Sequence, residues 1–347
     1  CDLPLRLVCS SWHDYTSQTL LGLFEGIILR NDSQAARFCS LVRTSPRAGI
    51  RVKSIVASHL SVTAVSSDLL SEDMQERLPN LHWLFFYDLR YTAIPRDQRL
   101  GTWTQVKKVH FDGDYVIETV DGLWDWVALF AECGSLTFVG MLCKAPIPMG
   151  VVSPSDPPRV HLRSLIFDVS SIMRPTFPAA LASPNLRVDK LTLLIYDASC
   201  YTTLLHVLAP KLQELRLSRA NFLDAIPLKI ADGCSPELHT VTLRLVNLSA
   251  QEMTLMLSDI RVILRASPNL SRILFTLPDM ATVDRVTLVA QAWGELDTLL
   301  AGTVDRVCIR PIYSDYAEVS WRPGLQNVLT TCMPQLTDLG ALHFEPR

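Results

Sequence analysis

A short pattern of apolar residues recurs along this chain and limits the folds open to it. Its clearest copy, at residues 210–217, carries three leucines in a Leu-x-x-Leu-x-Leu arrangement with polar residues between them. The alternation at its end indicates a short strand with one apolar face. Residues 236–243 and 268–275 repeat the pattern almost letter for letter.

Weaker copies show that the pattern extends over most of the chain. They begin at Leu81, Val106, Leu136, Leu162, Val188, Val304 and Leu336. Successive copies start roughly 24 to 34 residues apart, which lies within or slightly beyond the range of leucine-rich repeats. A unit that short cannot bury its own apolar face and must stack on its neighbours. The sequence therefore predicts an α/β fold: a leucine-rich-repeat solenoid with a curved parallel sheet on its concave face and helices outside.

Composition narrows the class of protein. The 347 residues carry a net charge of -3, which argues against nucleic acid as a partner. The most apolar window, residues 123–143, contains Asp125, Glu132 and Gly134, so no membrane partner is expected. The nine cysteines are scattered without a Cys-x-x-Cys motif, which favours reduced thiols in a cytoplasmic or nuclear protein.

Several individual elements are predicted between the repeat strands. Strands are expected at residues 27–29, 51–56 and 81–87, and helices at 33–42, 67–78, 122–133, 249–266, 281–301 (interrupted at Gly294) and 323–332. Asp121 and Gly134 are expected to cap the third of these helices, and Ser249 with Glu252 forms a capping box at the fourth. Five prolines make residues 144–159 an irregular insertion within the repeats.

The first 29 residues differ from the rest. Leu5, Val8, Cys9 and Trp12 lie at helical spacing, and a Leu-Phe-x-x-Ile-x-Leu segment ends at Leu29. One interpretation is an amphipathic cap of the kind that repeat proteins need. The pattern also resembles the C-terminal half of an F-box, and fungal F-box proteins continue into irregular leucine-rich repeats. Ser10 and Ser11 depart from the basic residues usual there, and we expect the opening half of the F-box to precede Cys1.

The resemblance divides the chain into residues 1–29, an F-box remnant or cap, and residues 30–347, the repeat solenoid. It implies the substrate-recognition subunit of an SCF-type ubiquitin ligase. In that role Leu5, Val8, Cys9 and Trp12 would bind the ligase adaptor, and the concave face would hold a target protein. The chain itself would not be an enzyme. Consistent with this, the sequence has no glycine-rich phosphate loop and no histidine spacing typical of metal ligands, so neither a cofactor nor a metal is expected.

Target binding is predicted at strand positions that point away from the core. The candidates are Trp83, Phe85, Lys107, Lys108, His110, Phe138, Arg163, Arg216, Arg272 and Arg306. Aromatic residues together with arginine are typical of interface hot spots. The basic bias of the set predicts a target segment that is acidic or phosphorylated. The alternative is a non-catalytic leucine-rich-repeat scaffold or sensor with no link to ubiquitin.

Overall fold

A computed structural model describes residues 25–61, 64–88, 103–113, 120–139, 159–168, 178, 180–195, 201–219, 228–278, 281–311 and 324–345. The chain forms two compact units, Cys1–Leu162 and Arg163–Arg347. The boundary falls within strand β6 (Val160–Asp168). The fold is α/β, with parallel strands and helices in both units.

In the first unit, five parallel strands pair in the order in which they occur in the chain. They are β1 (Gly26–Leu29), β2 (Ser54–Ser58), β3 (Trp83–Tyr87), β4 (Lys108–Asp112) and β5 (Ser135–Val139). The α-helices between them are α1 (Asp32–Thr44), α2 (Pro46–Arg51), α3 (Glu72–Arg77) and α4 (Val120–Leu129). Each strand therefore pairs with the strand that precedes it in the chain, as expected for stacked repeats.

In the second unit, β7 to β12 also pair in parallel and in chain order. These strands are β7 (Leu186–Ile195), β8 (Glu214–Arg219), β9 (Thr240–Arg244), β10 (Arg272–Leu277), β11 (Arg306–Pro311) and β12 (Leu342–Phe344). The helices are α5 (Thr202–Leu208), α6 (Ala250–Ala266), α7 (Val283–Leu288), α8 (Ala290–Leu300), α9 (Leu325–Cys332) and α10 (Pro334–Asp338).

The apolar residues of the repeated pattern form the core. Leu215 and Leu217 pair with Leu191 and Leu193 on one side, and all four are at most 3% exposed. On the other side Leu215 pairs with the fully buried Val241. The predicted repeat strands of this region, including their register, are therefore confirmed.

The last repeat is an exception. Leu336 and Leu339 were expected in a strand, but Leu336 is buried in α10, and Leu339 follows that helix with 61% exposure. Pro334 occupies the first helical turn, where its missing N–H costs nothing. The buried Asp297 carboxylate accepts hydrogen bonds from the backbone N–H groups of Gln335 and Leu336 at 2.9 and 2.8 Å. These contacts favour the helix. The strand β12 follows it in the chain.

Two predicted helices are divided at unexpected places. Residues 67–78 contain the end of a π-helical turn (Ala64–Leu69) and then α3, separated by the extended backbone of Ser71. Residues 281–301 divide at Val289, whose φ of -113° and ψ of 20° separate α7 from α8. The predicted interruption at Gly294 is wrong, because Gly294 lies inside α8.

Gly134 has a different role from the predicted helix cap. α4 already contains Asp121 and ends at Leu129, so neither residue directly flanks the helix. A Cβ atom on Gly134 would lie 2.8 Å from the carbonyl oxygen of Lys107. Glycine is therefore required because the backbone preceding β5 approaches the backbone preceding β4 too closely for a side chain.

Candidate functional site

In each unit helices cover one face of the strands. Side chains alternate between the two faces of a strand. In the first unit the buried Phe86 and Phe111 each contact the ring of Trp126 from α4, at 5.9 and 6.0 Å between centroids. In the second unit the buried Phe275 contacts Trp293 from α8 at 5.7 Å. We call the opposite side of the strands in each unit its open face.

The open face of the first unit carries an aromatic patch, which consists of Ile28, Val56, Trp83, Phe85, Lys108 and His110. Trp83 is 46% exposed and its ring lies edge-on to Phe85, with centroids 6.4 Å apart. Phe85 in turn contacts His110 at 5.6 Å. Large apolar side chains held rigidly at a surface are typical of protein-binding sites.

A cation borders this aromatic patch. The Nζ atom of Lys108 lies 5.2 Å from the centre of the Trp83 ring. Such a cation–π contact contributes about 0.5 to 1 kcal/mol at an exposed site. It also fixes the lysine beside the tryptophan, so the patch presents a positive charge next to its apolar surface.

Most of the residues predicted for target binding in the first unit lie where the sequence places them. Trp83, Phe85, Lys108 and His110 are on the open face, and Lys107 is exposed just before β4. Phe138 is the exception, since it is only 3% exposed and its ring stacks on Phe111 at 5.4 Å. The prediction of an exposed Phe138 is wrong because the core positions of β5 are Leu136 and Phe138, with Val139 partly exposed.

The open face of the second unit is basic. Strand register aligns six cationic side chains there, against the carboxylates of Glu214 and Glu345. The cations are Lys190, Arg216, Arg244, Arg272, Arg306 and Arg310. We call this set the basic face. Its excess of positive charge contrasts with the net charge of -3 of the whole chain and would attract a negatively charged partner.

The two carboxylates neutralise only part of the basic face. Glu214 accepts a hydrogen bond from Arg216 at 2.6 Å and forms an ion pair with Lys190 at 3.2 Å. Burial by itself would raise the pKa of Glu214, but the hydrogen bond and charge of Arg216 and the charge of Lys190 outweigh it and lower the pKa. Glu214 therefore stays ionised at neutral pH.

Glu345 interacts with three arginines at once. Its carboxylate accepts hydrogen bonds from Arg272 and Arg310 at 2.5 and 2.7 Å, and Arg306 lies 3.7 Å away. Burial opposes ionisation, yet hydrogen bonds from Cys308 and Arg310, with the charges of Arg272 and Arg310, lower the pKa of Glu345. One carboxylate among three guanidinium groups leaves this end of the face positive.

The sequence identified part of this basic face. Arg216, Arg272 and Arg306 lie on it, and Arg163 is exposed within β6. Arg244 and Glu345 were not predicted as site residues. Arg244 directly follows Leu243, the last apolar residue of a repeat, and alternation continued by one residue places it on the open face. Glu345 was missed because β12 itself was not predicted.

Other predicted features lie outside the described residues. Leu5, Val8, Cys9 and Trp12, the expected adaptor contacts, belong to this group, as do residues 144–158 of the proline-rich insertion. Among the described residues, no group of three or more His, Cys, Asp and Glu side chains is placed to hold a metal ion. No helix in the described ranges is long and apolar enough to cross a membrane.

Comparison with known proteins does not assign this chain to a family. A scan against protein-family models finds no match to this chain, and a search of curated proteins finds no similar sequence.

Proposed function

We propose that this chain is a leucine-rich-repeat recognition subunit that binds a target protein on the open faces of its strands. The main support for this proposal is the residue composition of those faces. One presents Trp83 and Phe85 beside a lysine, and the other presents aligned arginines. Tyrosine, tryptophan and arginine account for most hot-spot energy in protein interfaces, and Trp83, Arg216 and Arg244 are exposed.

We further propose that the target is presented to an SCF-type ubiquitin ligase, whose adaptor binds Leu5, Val8, Cys9 and Trp12. The support is the F-box resemblance of residues 5–29, followed by a chain of stacked strand units. In this role the chain positions a substrate and the chemistry occurs on another subunit. It would act in the cytoplasm or nucleus, where such ligases operate.

The adaptor link can be tested directly. Tagged protein, expressed with any residues that precede Cys1 in the full gene product, is incubated with purified ligase adaptor. We expect wild type to retain the adaptor, and we expect the double variant Leu5→Asp, Val8→Asp to lose it, because two charges would enter an apolar contact. Arg261→Gln, an exposed change on α6, is the matched control and should bind normally.

The same experiment separates the two functional hypotheses. A folded wild-type protein that retains no adaptor would remove the ligase role and leave a repeat scaffold or sensor. Circular dichroism of each variant must match wild type, so that loss of binding reports on the contact and not on unfolding.

A further inference from the structure

A concave pocket lies within the open face of the second unit. Its cavity has a volume of about 310 Å³, and residues from β6 to β10 line it. The polar lining residues are Thr192, Arg216, Ser218, Thr242, Arg244 and Thr276. Strand register explains the grouping, because Arg216 pairs with Thr242, and Ser218 pairs with Arg244. Among the described residues, the pocket lining therefore combines two guanidinium groups with four hydroxyl groups and includes no carboxylate.

Arg244 is the cation that gives this pocket its unbalanced charge. It is exposed, and it forms no ion pair or hydrogen bond with any residue in the described part of the chain. Arg216 differs, because its Nε atom donates to Glu214. A guanidinium group has five N–H donors, so both arginines keep donors for a ligand.

The hydroxyl of Ser218 is a second group of this pocket with unused hydrogen-bonding capacity. Its Oγ atom is buried and has no hydrogen-bond partner among the residues that the structure describes. A buried polar atom without a partner costs free energy and calls for an explanation such as a bound ion. Because the atom is covered, contact with a ligand requires a neighbouring side chain to move.

We propose that this pocket binds a phosphate monoester. Arg244 would hold two of its oxygens in a bidentate contact, and Arg216, Ser218 and Thr242 would supply the remaining donors. A carboxylate has only two acceptor oxygens, and one guanidinium group can contact both in a bidentate arrangement. The number of donors around this pocket suits the three terminal oxygens and the charge of nearly -2 of a phosphate group.

The phosphate can come from two sources. It can be a phosphorylated side chain of the target protein, in which case the inference rests on the proposed function and specifies its substrate class. It can also be a small phosphate ester that binds independently of any target. The pocket chemistry is the same in both cases, and the experiment separates them.

The first measurement is a calorimetric titration of the purified chain with phenyl phosphate in buffer free of phosphate and sulfate. We expect saturable binding that weakens about 10-fold or more in Arg244→Gln, as for loss of a charged hydrogen-bonding partner. The matched control Arg261→Gln removes an exposed arginine from the same unit and should bind like wild type. Ser218→Ala should also weaken binding, while its stability stays equal to or above that of wild type.

The second measurement compares arrays of phosphoserine peptides with their unphosphorylated counterparts. Selective retention of phosphorylated peptides that disappears in Arg244→Gln assigns the site to a modified target. Phenyl phosphate binding without any such selectivity assigns it to a small ester. No saturable binding of phenyl phosphate, or equal binding by Arg244→Gln and Arg261→Gln, overturns the proposal. Neither result depends on the ligase adaptor, so failure here leaves the adaptor test intact.

Discussion

At the scale of single residues, three buried carboxylates fasten neighbouring segments of the chain to helices. Asp259 and Asp297 lie in α6 and α8 and accept backbone N–H groups of Leu228 and α10. Glu252, which is 2% exposed, accepts from three consecutive N–H groups, those of residues 246–248. Each carboxylate satisfies backbone donors of these segments that would otherwise lack partners.

Glu252→Ala should therefore be strongly destabilising. Three backbone donors would lose a charged acceptor, and hydrogen bonds to charged groups contribute about 1.5 to 3 kcal/mol each, so we expect a loss of about 3 kcal/mol or more. Urea denaturation monitored by circular dichroism measures the change. Glu295→Ala removes an exposed glutamate from a 3.5 Å ion pair and should cost no more than about 0.5 kcal/mol. Equal losses in the two variants would contradict the fastening role.

The buried thiols give a second prediction at this scale. Burial raises the pKa of Cys39 and of Cys133 to about 12, so both remain protonated at every pH in normal use. Because the thiolate is the nucleophile, neither should react with iodoacetamide in the folded protein between pH 7 and about pH 10. Peptide mapping by mass spectrometry should show modification of both only after denaturation. Rapid labelling of either under native conditions would show that its surroundings are open.

At the scale of elements, the register of each strand decides which residues reach the core. Leu215→Ala should cost about 2 to 5 kcal/mol, because the side chain is fully buried between two neighbouring strands. Arg216→Ala, one position along, should cost less than about 1 kcal/mol, because its side chain is 44% exposed. Chemical denaturation of both variants tests the register, and similar midpoints would refute it.

The link between β12 and its neighbours predicts a pH dependence. The pKa of Glu345 is lower in the folded protein than its value of about 4.5 in the unfolded chain. The ionised carboxylate therefore adds to the free energy of unfolding above pH 4.5, and this stabilisation is lost as the pH falls through the folded-state pKa. Glu345→Gln should therefore destabilise at pH 7, by about 1 to 3 kcal/mol for hydrogen bonds to arginines. The difference from wild type should shrink below pH 4.5, as urea denaturation across pH would show. A difference independent of pH would exclude this role for the charge.

Much of this fold could be predicted because the repeat encodes burial locally. Alternating leucines determine which face of β8 is buried without reference to distant residues. One failure has a non-local cause. The segment around Leu336 has the same apolar spacing as a strand but becomes helical, since Asp297, 39 residues away in the chain, caps the helix. The Phe138 error has a local cause: this copy of the repeat begins at the buried Cys133 and not at Leu136, so Leu136 and Phe138 pair with the buried Val109 and Phe111.

The candidate site was harder to predict than the fold. The sequence identifies Trp83 and Arg216 as outward positions, since these lie between core residues of a repeat. It does not reveal which cations are already neutralised. Arg272 is paired with Glu345 and Arg244 has no partner among the described residues, a distinction that depends on β12 and on strand register. Which charged side chains pair across strands can be determined only from the three-dimensional structure.

At the scale of the whole molecule, charge is distributed unevenly. The chain is slightly acidic overall, yet the basic face of its second unit carries six cations and two carboxylates. Binding of an acidic partner there should weaken as salt increases, because exposed charges are screened over about 10 Å at 0.1 M. Binding through the aromatic patch of the first unit should depend little on salt, since burial of apolar surface drives it.

The measurement that tests the central claim most directly is quantitative affinity purification from cells of the source organism. Three tagged forms are compared: wild type, an open-face variant with Trp83→Ala, Arg216→Glu and Arg244→Glu, and the control Arg261→Glu on α6. We predict that a defined set of proteins is lost from the open-face variant and retained by the control, while the ligase adaptor remains with all three. An identical set of bound proteins in all three forms would contradict the assignment of the open strand faces as the recognition surface.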